Sequence, residues 1–137
     1  MDMPIVVVDA DKNQCENLCA LLRQENYRAV ELHSLPSLKK ILQETSCRVV
    51  IMDLDSLPVD NLFIKEFRRQ NPGLPVMVLS SRSFHPELEQ VMSKHICACL
   101  RKPPDPEELL YCIKSFCENE HDPSGRQRGE ESIEYAR

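Results

Sequence analysis

Apolar residues occur along this chain in two patterns. Three short blocks are almost unbroken and mostly β-branched: "PIVVVDA" (4–10), "RVVIMD" (48–53) and "VMVLSS" (76–81). The first predicts a fully buried strand, the second a strongly apolar strand and the third a further strand. Two weaker runs, "RAVELH" (28–33) and "ICACLRK" (96–102), read as further strands. Between them the apolar spacing changes to that of helices. Cys15, Leu18, Cys19 and Leu22 fall on one stripe of 11–27, and Leu38, Ile41 and Leu42 on one stripe of 35–45. Segment 60–71 predicts a helix with Asp60 as its cap and Leu62 or Phe63 inward together with Phe67. Segment 85–95 predicts a short amphipathic helix with Pro86 at its first position. The last, 105–120, opens with Asp105, Pro106 and Glu108, a strong helix start.

Strand and helix therefore alternate five times with short connections. The predicted fold class is α/β: a doubly wound, five-stranded parallel sheet with helices on both faces, built as (βα)5. The predicted domain covers 1–120. Residues 121–137, polar and holding two of the three glycines, are expected to form a flexible tail or linker. In sheets of this kind ligands sit beyond the carboxyl ends of the strands. The residues just past each apolar run are Asp9 and Asp11, His33, Asp53, Ser80 and Lys102.

Composition narrows the chemistry. The net charge is −5 and basic residues never run beyond two, so a nucleic-acid footprint is not expected. No apolar run approaches the roughly 20 residues of a membrane span, and no signal-peptide pattern opens the chain, so a cytoplasmic location is expected. The first 72 residues hold no glycine, which excludes a glycine-rich phosphate loop or dinucleotide fingerprint. An enzyme binding FMN or a nucleotide is disfavoured on the same ground. Seven cysteines without a CxxC pair read as small buried side chains in a reducing compartment rather than a zinc site.

Strands one and three of such a sheet usually lie side by side, which would bring Asp9 and Asp53 to one edge. Close carboxylates repel, and a divalent cation such as Mg2+ relieves the repulsion while leaving coordination for phosphate oxygens. With a hydroxyl from Ser80 and an ammonium from Lys102, the set suits a phosphoryl group.

At these residues the chain resembles the receiver domain of two-component response regulators, over about 4–118. The matching motifs are "IVVVDAD", "VVIMDLDSLPVDN", "LPVMVLSS" and "CLRKPPDPEELL". The resemblance implies that Asp53 is the phospho-acceptor, taking a phosphoryl group from a sensor histidine kinase or phosphotransfer protein. It implies that Asp9, Asp53 and the backbone carbonyl of Asp55 hold Mg2+, and that Ser80 and Lys102 attend the phosphoryl group. It also implies a cis bond between Lys102 and Pro103, a rate-tuning place for Arg82, and a downstream effector protein or domain as the reader of the switched surface. That surface is formed by 85–95, 96–101 and 105–118, and homodimerisation through the last two helices is compatible with it. A salt bridge between Asp55 and Arg82 is expected over the mouth. His33, away from the usual site, is expected to be structural or exposed, and His85 and His95 to flank a surface helix with no partner that suggests catalysis.

Three positions depart from the family pattern. Ala10 stands where the second of an acidic pair is usual, which predicts weakened Mg2+ binding. Cys99 stands where an aromatic usually reports switching. Asp60-Asn61 replaces the usual Asp-Gly, with Asn expected to carry the turn through its tolerance of positive φ. The alternative function is therefore a degenerate receiver that binds proteins without being phosphorylated.

Overall fold

Every residue of the first strand, β1 (Ile5–Val8), is at most 1% exposed, so both faces of this strand are covered. The strands β3 (Val49–Asp53) and β4 (Val76–Ser80) are also buried along their whole length, with no residue more than 4% exposed. The two weaker runs became β2 (Ala29–Leu32) and β5 (Ala98–Arg101). The computed structural model, which describes residues 3–119, explains the difference. All pairings are parallel and the strand order is β2-β1-β3-β4-β5. The three continuous apolar runs are the inner strands, and the mixed runs are the edges. Alternating exposure in β5, with Cys99 and Arg101 turned to water, is what an edge strand tolerates.

Successive side chains of a strand face opposite ways, so each run supplies two cores. Ile5, Val7, Val49, Ile51, Met77 and Leu79 pack against α1 (Lys12–Gln24) and α5 (Pro106–Asn119). Val6, Val8, Val50, Met52, Val76 and Val78 pack on the other face, under α2 (Leu35–Glu44), α3 (Asn61–Gln70) and α4 (Met92–His95). Full burial of one such side chain contributes about 1.5–3 kcal/mol. Cys15, Cys19 and Cys112 lie in the first core, and among the described residues no group of His, Cys, Asp or Glu is placed to hold a metal as a three-residue cluster.

The helix starts follow the capping chemistry. Asp11, Ser34 and Asp60 each accept a bond from the backbone N–H three residues on, and Asp105 does the same for Glu108. Of the two candidates on α3, Phe63 packs against the core while Leu62 is 74% exposed. Two expectations need correction. Asn61 is not in a positive-φ turn; Asn26 is the one non-glycine residue with positive φ among those described. Asn61 is instead the first residue of α3, and its side-chain oxygen accepts from the Gln90 N–H at 3.1 Å.

That bond bears on the second correction. Segment 85–95 is not one helix but a 3₁₀ turn at Pro86–Leu88 followed by the single-turn α4. Its bonds run i to i+3, from Leu88 N to His85 O, Glu89 N to Pro86 O and Val91 N to Leu88 O. The Gln90 N–H, which an α-helix would spend on Pro86, is taken by Asn61. The expected tail, 121–137, and residues 1, 2 and 120 of the predicted domain lie outside the described residues.

Candidate functional site

The parallel register sets the site. Val8 pairs with Met52, so Asp9 and Asp53 each follow one residue beyond the same rung on neighbouring strands. Both are nearly dry, with Asp9 3% and Asp53 2% exposed. A buried carboxylate needs partners, and each has them. Asp9 Oδ1 accepts from the Asp11 N–H at 2.9 Å and the Ser56 hydroxyl at 3.2 Å, while Oδ2 accepts from the Gln14 side-chain amide. The Ser56 N–H donates to Asp53 Oδ2 at 3.0 Å. Ser56 thus joins the two carboxylates, one through its hydroxyl and the other through its backbone. Its hydroxyl also accepts from the Ala10 N–H at 3.1 Å, so the exposed Ala10 is tied to the loop that follows β3.

The second oxygen of Asp53 is different. Oδ1 is fully buried and receives no hydrogen bond of good geometry; it is matched by charge, with the Lys102 ammonium 2.7 Å away. The same ammonium lies 2.9 Å from Asp55 Oδ2, which also accepts from the Ser81 N–H at 3.0 Å. Burial works to lower the Lys102 pKa, but the Asp53 and Asp55 carboxylates outweigh it and hold it above the ordinary lysine value. Burial works in the opposite sense on Asp55, and bonds from Lys102 and Ser81 outweigh it, leaving that carboxyl below its ordinary value. Lys102 is brought to this place by the end of β5: its N–H donates to the Ser80 carbonyl at 3.0 Å, and its bond to Pro103 is cis.

The expected salt bridge between Asp55 and Arg82 is absent, because each residue has a nearer partner. Asp55 takes Lys102, and Arg82 pairs with Glu87 at 2.5 Å on the adjoining 3₁₀ turn. Asp11 is spent on capping α1 and stays exposed, so it does not replace the acid missing at Ala10.

Ser80 ends β4 with 0% exposure. Its oxygen accepts from the Arg82 N–H at 2.9 Å, lies 3.3 Å from the Arg82 carbonyl, and lies 2.6 Å from Nε2 of His85. His85 was expected to flank a surface helix with no partner that suggests catalysis; it is 7% exposed and tied to a site residue. Burial, then the charge of Arg82, holds its imidazole below the ordinary histidine pKa. A signal for this was present: His85, Leu88 and Val91 recur every three residues, and all three are buried. His33 was expected to be structural or exposed and away from the site; it is partly buried and reaches the site. Its Nδ1 lies 3.0 Å from the Asp9 carbonyl, which can only accept, so Nδ1 carries the proton. Gln14 and Ser56 were also missed, since neither residue type nor spacing marks them.

The arrangement is a buried carboxylate with one oxygen held by a backbone N–H and the other facing a cation, next to a second buried carboxylate. Hard oxygen donors of this kind fit Mg2+, which takes one or two carboxylates and fills the rest of its shell with water and phosphate oxygens. They fit a cation held by two side-chain acids and not by three, because Ala10 contributes none.

The model of the family described as the response regulator receiver domain matches residues 5–114. The transcriptional regulatory protein ZraR of Klebsiella oxytoca is 31% identical over 107 residues, covering 77% of this chain and 24% of that protein. The chain spans about a quarter of the length of the curated relatives it matches. Among solved structures, a response regulator receiver domain protein from Clostridium thermocellum superposes with a TM-score of 0.76 at 21% identity, covering 86% of this chain and 96% of that one. The beryllofluoride-activated NtrC4 receiver domain dimer gives 0.74 at 24% identity, with 84% and 96% covered.

Proposed function

This chain belongs to the response regulator receiver domain family, and from that premise we propose that Asp53 accepts a phosphoryl group and that the chain works as a phosphorylated signalling domain rather than a metabolic enzyme. The observation that carries the proposal is the state of Asp53: buried at the end of β3, with Oδ1 met by nothing except the Lys102 ammonium. An Asp53 oxygen attacks phosphorus. The bond from phosphorus to the donor's histidine nitrogen breaks, its electron pair returns to the imidazole, and an acyl phosphate remains on Asp53. Lys102 stays beside the oxygens and offsets their charge, and the Ser80 hydroxyl supplies a hydrogen bond. Asp9, Asp53 and the Asp55 carbonyl would hold Mg2+, which when bound offsets charge on the phosphoryl oxygens. The partners in this reading are a sensor histidine kinase or phosphotransfer protein and a downstream effector, in the cytoplasm. Among the described residues no helix is long and apolar enough to cross a membrane.

The test is phosphorylation by acetyl phosphate, and binding of beryllofluoride, at millimolar Mg2+. An adduct on the parent protein that is lost in Asp53→Asn supports the reading. No adduct on the parent, or an equal one on the variant, refutes it.

One observation favours a second reading, a receiver that binds partners without phosphorylation. Ala10 removes an acid, and Asp9 is already engaged by Gln14, Ser56 and Asp11. A Mg2+ titration separates the two readings. Saturation in the millimolar range supports the first, and no binding until Ala10→Asp restores it supports the second.

A further inference from the structure

Besides the Arg82 N–H, the Ser80 hydroxyl has two hydrogen-bond partners within reach, and neither belongs to the carboxylate site. Its short contact is with His85 Nε2 at 2.6 Å, its long one with the Arg82 carbonyl at 3.3 Å. It has no hydrogen bond to Asp53, Asp55 or Lys102. His85 is held from behind by the 3₁₀ turn it opens, through the bond from Leu88 N to His85 O at 2.9 Å. That turn is in turn fixed by Leu88 and Val91, both 0% exposed, and by the bond from Gln90 N to Asn61. The imidazole is therefore held in place by groups outside the carboxylate–lysine set.

We propose that His85 is a positioning residue that latches the Ser80 hydroxyl away from Asp53, so that the hydroxyl must leave His85 before it can serve a phosphoryl group. The inference rests on the acceptor role of Asp53. It adds that the resting state is held by a side chain outside the carboxylate–lysine set. It also gives a route outward: when Ser80 leaves, the buried His85 loses its partner, and the turn carrying Leu88 and Val91 is the element that must adjust. Phosphorylation would then be read through the segment 85–95, by a hydrogen bond rather than by an aromatic ring at Cys99.

The experiment compares parent, His85→Leu and His85→Gln in their rate of loading by acetyl phosphate. A neutral hydrogen bond of this kind is worth about a threefold to tenfold shift in an equilibrium. His85→Leu, which keeps an apolar side chain in the pocket, should load about threefold to tenfold faster. His85→Gln, whose amide reaches to the Nε2 position, should return to the parental rate. A His85→Leu protein as slow as the parent or slower overturns the latch while leaving the acceptor role standing. Absence of any adduct on the parent removes the acceptor role, and the latch with it. A second readout does not depend on loading. In the unmodified protein, Ser80→Ala should shift the 15N signal of His85 Nε2, and beryllofluoride should shift it in the parent. An unmoved signal in either experiment overturns the proposal.

Discussion

Replacing Lys102 by Met would keep the apolar stem and remove the cation that lies 2.7 Å from Asp53 and 2.9 Å from Asp55. The Asp53 side chain is 2% exposed and that of Lys102 16%, so this is a buried pair rather than a screened surface contact. Removing one partner of such a pair costs about 3–5 kcal/mol, because the remaining charge is left without compensation. The lower end applies here, since Asp55 at 24% exposure retains access to water. A loss of about 3 kcal/mol in a domain of this size lowers Tm by roughly 10 °C. The pH dependence has a definite sign. The raised Lys102 pKa contributes stability below the ordinary lysine value of about 10.5, and that contribution is lost as pH rises through the folded value. The lowered Asp55 pKa contributes stability above the ordinary aspartate value of about 4, and that contribution is lost as pH falls through the folded value. The difference between parent and Lys102→Met should therefore be largest between about pH 5 and pH 9 and should shrink in stronger acid. Urea denaturation across this range measures it. A deficit below about 1 kcal/mol at neutral pH, or one that does not shrink in acid, refutes the assignment of Lys102 as the counter-charge of this site.

Two further changes test the frame that holds the site. Arg68, on α3, donates to the carbonyls of Leu74 at 2.6 Å, His95 at 2.9 Å and Asn71 at 3.4 Å, so it clamps the turn before β4 to the end of α4. Arg68→Ala should cost about 2–3 kcal/mol in chemical denaturation, since charged donors make the stronger bonds. Asp60→Ala removes the cap of α3 and its 2.9 Å bond from Phe63 N; a loss of about 1 kcal/mol is expected, recovered in Asp60→Ser.

Much of this site was legible because its main residues sit at strand ends, and strand ends are visible wherever an apolar run stops. Asp9, Asp53, Ser80 and Lys102 all follow or close such runs, and the fold brings all four to one edge. The partners of these residues were not legible. Asp55 was matched to Arg82 by opposite charge alone, yet Lys102 was nearer and Glu87 was nearer to Arg82. Gln14 and Ser56 reach Asp9 across 5 and 47 residues of sequence, separations that no periodicity encodes.

His85 shows where the boundary falls. The order of strands and helices and the caps of α3 and α5 follow from local rules: side-chain period, burial of apolar surface and competition for backbone N–H groups. Those rules act over a few residues, so the amino-acid sequence alone determined them. Whether segment 85–95 would continue as a helix depended on Asn61, 29 residues away, taking the N–H of Gln90. Whether His85 would face water depended on that turn tightening until its ring met Ser80. Hydrogen bonds between distant residues compete with local ones at nearly equal energy. Their outcome was decided only when packing fixed which groups could reach each other.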